Sequence, residues 1–290
     1  MTHPGNGQVA EAAPPRLPVA ARLAVVVTGA LLGWLAIAAL TTRVWGEGLS
    51  LARHAVSALA ALLIAGALVV AARRLLDRRP VGTLGLSGGK RAARDLLYGA
   101  LSWLLPAAVG LAVALAAGWL RIEIDATLAE TVGVVLLLVV LVLVYEAFPE
   151  ELLFRGYVYR NLTAAVAPWL AVLVQALLFM LFGTALWVIT EGWGVLLERL
   201  VLFFGMGVVV GCIRLISGSV WAAVGWHLAF QVVMQLVISS QYLEATVSNE
   251  TVFVVATAVV AFATSTTIAG FLWPGQESWA RPEPDVGPPR

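Results

Sequence analysis

The chain has 290 residues, of which 61% are hydrophobic and 12% charged, where an ordinary soluble domain carries about 25% charged residues. A formal net charge of +1 makes the whole molecule neither acidic nor basic, so nucleic acid is not an expected partner and only the local placement of charge is informative. The single cysteine, Cys212, excludes an internal disulfide, and its apolar surroundings "GMGVVVGCI" point to packing.

In chain order, residues 1–18 are polar and Pro-containing and read as a disordered tail without the basic start and short apolar core of a signal peptide. Apolar runs then recur near 23–40, 55–72, 96–120, 131–148, 162–189, 200–216, 219–240 and 251–273. Each is near the roughly 20 residues that a spanning helix needs. Residues 274–290 read as a second disordered tail. The expected fold is all-α, a polytopic membrane bundle of about eight transmembrane helices. Barrel strands are excluded, because the runs lack alternation.

Orientation follows from basic residues at the span ends. The segment between the second and third runs holds Arg73, Arg74, Arg78, Arg79, Lys90, Arg91 and Arg94, which places it in the cytoplasm. Both tails, with Arg16, Arg22, Arg281 and Arg290, then fall on the same side, and "RIEIDATLAE", "EGWGVLLER" and "QYLEATVSNE" fall outside. Trp45, Trp119, Trp187, Trp193 and Trp273 sit near span ends, where tryptophan anchors at the interface. The Gly207 to Gly211 spacing permits close helix contact inside the monomer.

The fourth run meets charge in "YEAFPEELLFRGYVYR", with Glu146, Glu150, Glu151, Arg155 and Arg160. Apolar residues resume immediately, so the carboxylates are expected inside the membrane, where ionisable groups mark function. The competing expectation is that the span stops at Phe148 and a solvated turn follows. Glu151 and Arg155 are four apart with the acid first, the favourable order for a helical ion pair. Glu150 lies about 100° around the helix and Glu146 one turn before it on the same face. Pro149 removes a backbone donor and is expected to kink or restart the helix. A carboxylate free of its ion pair and partly desolvated is what a general base requires. In the seventh run His227, Gln231 and Gln235 form a stripe at every fourth residue, either as glue between helices or as the partner of Glu150.

Together "EELLFR" and "GSVWAAVGWHLAFQ" resemble the motifs of the CPBP family of intramembrane proteases, also called the Abi or type II CAAX prenyl protease family. The resemblance makes 81–273 the protease domain, with 19–80 as two additional helices. It implies a cavity open toward the cytoplasmic leaflet, with Glu150 as base, Glu151 and Arg155 as its structural pair, and His227 with Gln231 at the oxyanion. Glu146, Phe179, Gly183 and Gln235 are expected to line that cavity. The implied substrate is a membrane-associated peptide or protein, lipidated or not, and the implied location is the prokaryotic plasma membrane in contact with lipid.

Two positions depart from the family pattern: Gly183 stands where its middle-motif histidine belongs, and Gln231 replaces an asparagine. The cofactor is therefore left open. Glu146, Glu150 and His227 are a thin donor set for a divalent metal, because catalytic zinc commonly has two or more histidines. A family member that binds peptide without cleaving it, and a transporter using the buried carboxylates, stay open beside the peptidase, as does the oligomeric state.

Overall fold

The computed structural model describes residues 14–48, 50–275 and 279–285, so most of the expected N-terminal tail lies outside the described residues. Among these residues are eight helices long and apolar enough to cross a membrane: α1 Val19–Trp45, α2 Leu51–Asp77, α3 Val81–Ala116, α4 Leu128–Thr163, α5 Pro168–Glu191, α6 Trp193–Ser217, α7 Val220–Val237 and α8 Glu250–Leu272. Their outer faces carry exposed Leu, Val and Ile, as expected where lipid rather than water is the solvent. The chain is an all-α, multi-pass integral membrane protein.

The helix pairs α5 with α6 and α3 with α7 make the most extensive contacts, and small residues explain both. A Cβ on Gly207 would lie 2.9 Å from the Ala176 backbone, so α5 and α6 approach as closely as backbones allow. A Cβ on Gly99 would overlap the Ala222 carbonyl, and one on Gly225 the Leu96 carbonyl, so these glycines set the α3–α7 distance. The helices α1 and α2, expected as an added pair, pack into the same core: the Trp34 and Phe182 rings meet edge to face at 5.8 Å.

Residues 122–124 and 245–247 form a two-stranded antiparallel ribbon, β1 and β2, with Ile122 opposite Val247 and Ile124 opposite Ala245. Two of the loops expected on one face therefore pair there. On the opposite face, residues near both ends of the described chain meet the basic segment: the Arg16 amide donates to the Leu76 carbonyl at 2.9 Å and the Arg73 guanidinium binds Asp285 at 2.8 Å. Trp45, Trp119, Trp187 and Trp193 are exposed at helix ends as expected, whereas Trp273 is buried against Tyr98 and serves packing.

Helix α4 runs beyond the apolar run that ends at Phe148, continuing to Thr163 and carrying the carboxylates within the bundle as expected, which rules out the competing stop at Phe148. It does so by changing register. Two π-helical stretches, Leu143–Ala147 and Leu152–Val158, flank the short α-helical piece Phe148–Glu151 that holds Pro149 at its second position. Proline is tolerated at a helix start, and π-bulges recur at functional sites because each re-aims the residues that follow.

Candidate functional site

Residue Glu151 lies at the centre of the buried polar cluster. Neither it nor Arg155 is exposed to any extent, and Arg155 Nη1 donates to Glu151 Oε1 at 2.9 Å. This excludes the solvated turn. The same Oε1 receives His227 Nδ1 at 2.9 Å. A carboxylate paired with arginine has only lone pairs to offer, so Nδ1 carries the hydrogen of that bond. That leaves Nε2 for the cavity that His227 lines.

The arginine is fixed in turn. Its guanidinium lies 4.5 Å from the Phe179 ring centroid, and its Nη2 reaches the Gly207 carbonyl at 3.4 Å. Gln175 Nε2 donates to that carbonyl at 2.7 Å, and Arg214 Nε donates to the Arg155 carbonyl at 3.1 Å. In the sequence Gln175 is marked only by the face of α5 that it shares with Phe179 and Gly183, and Arg214 not at all. Their signal is the cost of a polar side chain on an otherwise apolar helix face.

The expected partnership of Glu150 with His227 takes a different form. His227 is bound by Glu151, whereas Glu150 makes no hydrogen bond or ion pair among the described residues and borders the cavity together with His227. The expected cavity residues Glu146, Phe179 and Gly183, as well as Gln231, are on its wall. Gln235 is not. It stands behind Glu146, donating to Oε1 at 2.9 Å, while Gln231 donates to Oε2 at 2.5 Å. Both amide nitrogens of the stripe thus hold Glu146, and Gln231 is not placed as a free oxyanion donor.

The cavity has a volume of about 270 Å³. Aromatic rings form much of its wall, with Trp34, Phe179, Phe203 and Phe230 among them. Phe203 accounts for Gly183: a Cβ there would sit 2.9 to 3.0 Å from the Phe203 ring. The ring therefore presses on the position where the family pattern has a histidine. No group of three or more His, Cys, Asp or Glu residues converges to hold a metal among the described residues, so this donor set does not fit the divalent metal that the resemblance raised.

The cavity extends to exposed Thr190 and to Trp187 and Arg199, beside the turn at Gly192. That end belongs to the face of the β1–β2 ribbon. The mouth implied by the resemblance, toward the cytoplasmic leaflet, and the orientation implied by the basic segment therefore disagree, since the basic segment is at the other end of the bundle.

Fold and site together define a polytopic helical membrane protein with a carboxylate and an imidazole facing one intramembrane cavity. A family described as type II CAAX prenyl endopeptidase Rce1-like matches residues 132–233, from α4 through the site residues of α7. Over that segment the chain is similar to the CPBP, or type II CAAX prenyl protease, family. No curated protein matches the chain.

Proposed function

We propose that the protein is an intramembrane endopeptidase that hydrolyses a peptide bond of a membrane-associated substrate, with Glu150 as general base. The observation that carries this reading is the division of labour between adjacent carboxylates. Glu151 is consumed by Arg155 and His227, while Glu150 has no hydrogen bond or ion pair among the described residues and borders the cavity. Glu150 takes a proton from a water molecule, and the resulting hydroxide attacks the peptide carbonyl carbon. The C–N bond then breaks, and the proton held on Glu150 passes to the leaving amine.

His227, when protonated at Nε2, donates to the oxyanion, and Glu151 holds the imidazole through Nδ1 and supports its positive charge. A donor aimed at developing charge in a water-poor site acts more strongly than in bulk water. Glu146, held by two glutamine amides, keeps a second acidic group on the same wall. The aromatic wall suits apolar side chains of a membrane peptide.

A second reading, a family member that binds peptide without cleaving it, is favoured by the Phe203 ring against Gly183 and by the engagement of Gln231 with Glu146. The deciding experiment is incubation of the purified protein, in bilayers, with lipidated and unlipidated membrane peptides and mass spectrometry of the products. Cleavage that Glu150→Gln removes supports the peptidase. Saturable binding of a peptide that stays intact supports the second reading.

A further inference from the structure

Resting on the peptidase reading for its substrate but not for its geometry, we propose that the cavity is entered from the extracytoplasmic side. It would take a peptide segment presented in or above the outer leaflet, not a cytosolic lipidated C-terminus. The two ends of the site differ. Toward the ribbon face the wall runs through Phe203 and Trp187 to Thr190 and Arg199, and Trp187 is 39% exposed. The Arg199 guanidinium lies 3.8 Å from the Trp187 ring centroid and 3.6 Å from the Glu198 carboxylate, forming a polar and aromatic rim.

Toward the other face the path is filled. Leu153, Phe154, Arg155, Tyr157 and Gln175 are all at most 1% exposed. Below them, Asp77 accepts from Arg22 at 2.6 Å, Arg73 at 2.9 Å and the Tyr157 hydroxyl at 3.1 Å. A buried ionic network of this kind is costly to open, because parting it strands charge.

Charge decides which face is which. Basic residues concentrate at the filled end, in the segment from Arg73 to Arg94, which the bilayer retains in the cytoplasm. The connections at the open end, 46–50, 117–127, 192 and 238–249, contain Arg121 as their one Lys or Arg, beside Glu47, Glu123, Asp125 and Glu244. The helix turns flanking them add Arg43, Arg53 and Arg199, still fewer basic residues than the seven from Arg73 to Arg94. The filled end is therefore cytoplasmic and the mouth is not.

The test is cysteine accessibility in intact cells, with Cys212→Ala as the parent and a membrane-impermeant thiol reagent. Thr190→Cys reports the mouth and Leu202→Cys the cavity wall. Gly88→Cys reports the basic end, where a Cβ meets nothing within 4 Å and φ is −107°. Thr190→Cys and Leu202→Cys should react before lysis, and Gly88→Cys only after it. Reaction of Gly88→Cys in intact cells, or of Thr190→Cys only after lysis, overturns the orientation. A Leu202→Cys that stays unreactive while Thr190→Cys reacts overturns the entry route. Labelling needs no turnover, so the outcome is independent of whether peptide is hydrolysed.

Discussion

Glu150 and Glu151 are adjacent in the chain and differ in everything that matters for chemistry. Removing the charge of Glu151 strands a fully buried guanidinium, which costs about 3 to 5 kcal/mol in comparable pairs. Glu150 has no such partner among the described residues, so Glu150→Gln removes no hydrogen bond or ion pair from the fold and should not destabilise it. Thermal unfolding in one detergent should therefore show Glu151→Gln clearly destabilised and Glu150→Gln no less stable than wild type; equal losses would mean that both carboxylates are structural. At Gly183, histidine alone must displace the Phe203 ring. Gly183→His should melt lower than wild type, and adding Phe203→Ala should recover part of the loss, as a thermal-shift comparison of the single and double variants would show. The Glu151–Arg155 pair was legible from its spacing. The partner of His227 was not, because the π-helical stretches on either side of Pro149 rotate neighbouring positions away from where a 3.6-residue period puts them. The Gln231–Glu146 bond was hidden for the same reason.

At the level of helices, hydropathy made all eight crossings legible because lipid-facing positions must be apolar whatever the packing. It failed at the end of α4. Glu151 and Arg155 neutralise each other inside the bundle, and a composition count cannot distinguish a paired charge from a solvated one. Close helix contacts were legible at Gly207 but not at Gly99 or Gly225, whose spacing in the chain carries no motif. Gly225 is two residues before His227 and touches the Leu96 backbone. Substituting Gly225→Val should push α7 from α3 and cost about 1 to 3 kcal/mol, as overpacking does. Because His227 rides on that helix, any turnover should fall further than the change in folded fraction explains. If turnover per folded molecule is unchanged, the α3–α7 contact does not position the imidazole.

For the molecule as a whole, the described part of the C-terminal segment, expected as a disordered tail, lies across the basic end. The Glu283 amide donates to the Thr163 carbonyl at 2.8 Å, and Asp285 binds Arg73 at 2.8 Å and approaches Arg160 at 3.5 Å. A Pro-rich, charged segment carries no apolar pattern, so this docking left no sequence signal. Burial raises the Asp285 carboxyl, but the hydrogen bond and charge of Arg73 and the charges of Arg160 and Arg79 outweigh it and hold the group below its usual range. With the folded value depressed, the contribution to stability is present above the unfolded value of about 3.9 and is lost as pH falls through the folded one. Asp285→Asn should therefore lower the melting temperature at neutral pH, and the difference from wild type should vanish below that range; a difference that persists in acid would contradict the ion-pair account.

The cavity unites these levels: α1, α4, α5, α6 and α7 all contribute to its wall, and the free carboxylate is its distinguishing feature. The most direct measurement is cleavage of a membrane peptide by wild type and Glu150→Gln in the same bilayers, at matched folded fraction. The expected result is cleavage by wild type and loss of product with Glu150→Gln while it melts no lower than wild type. Undiminished cleavage by folded Glu150→Gln would contradict the assignment of Glu150 as the base.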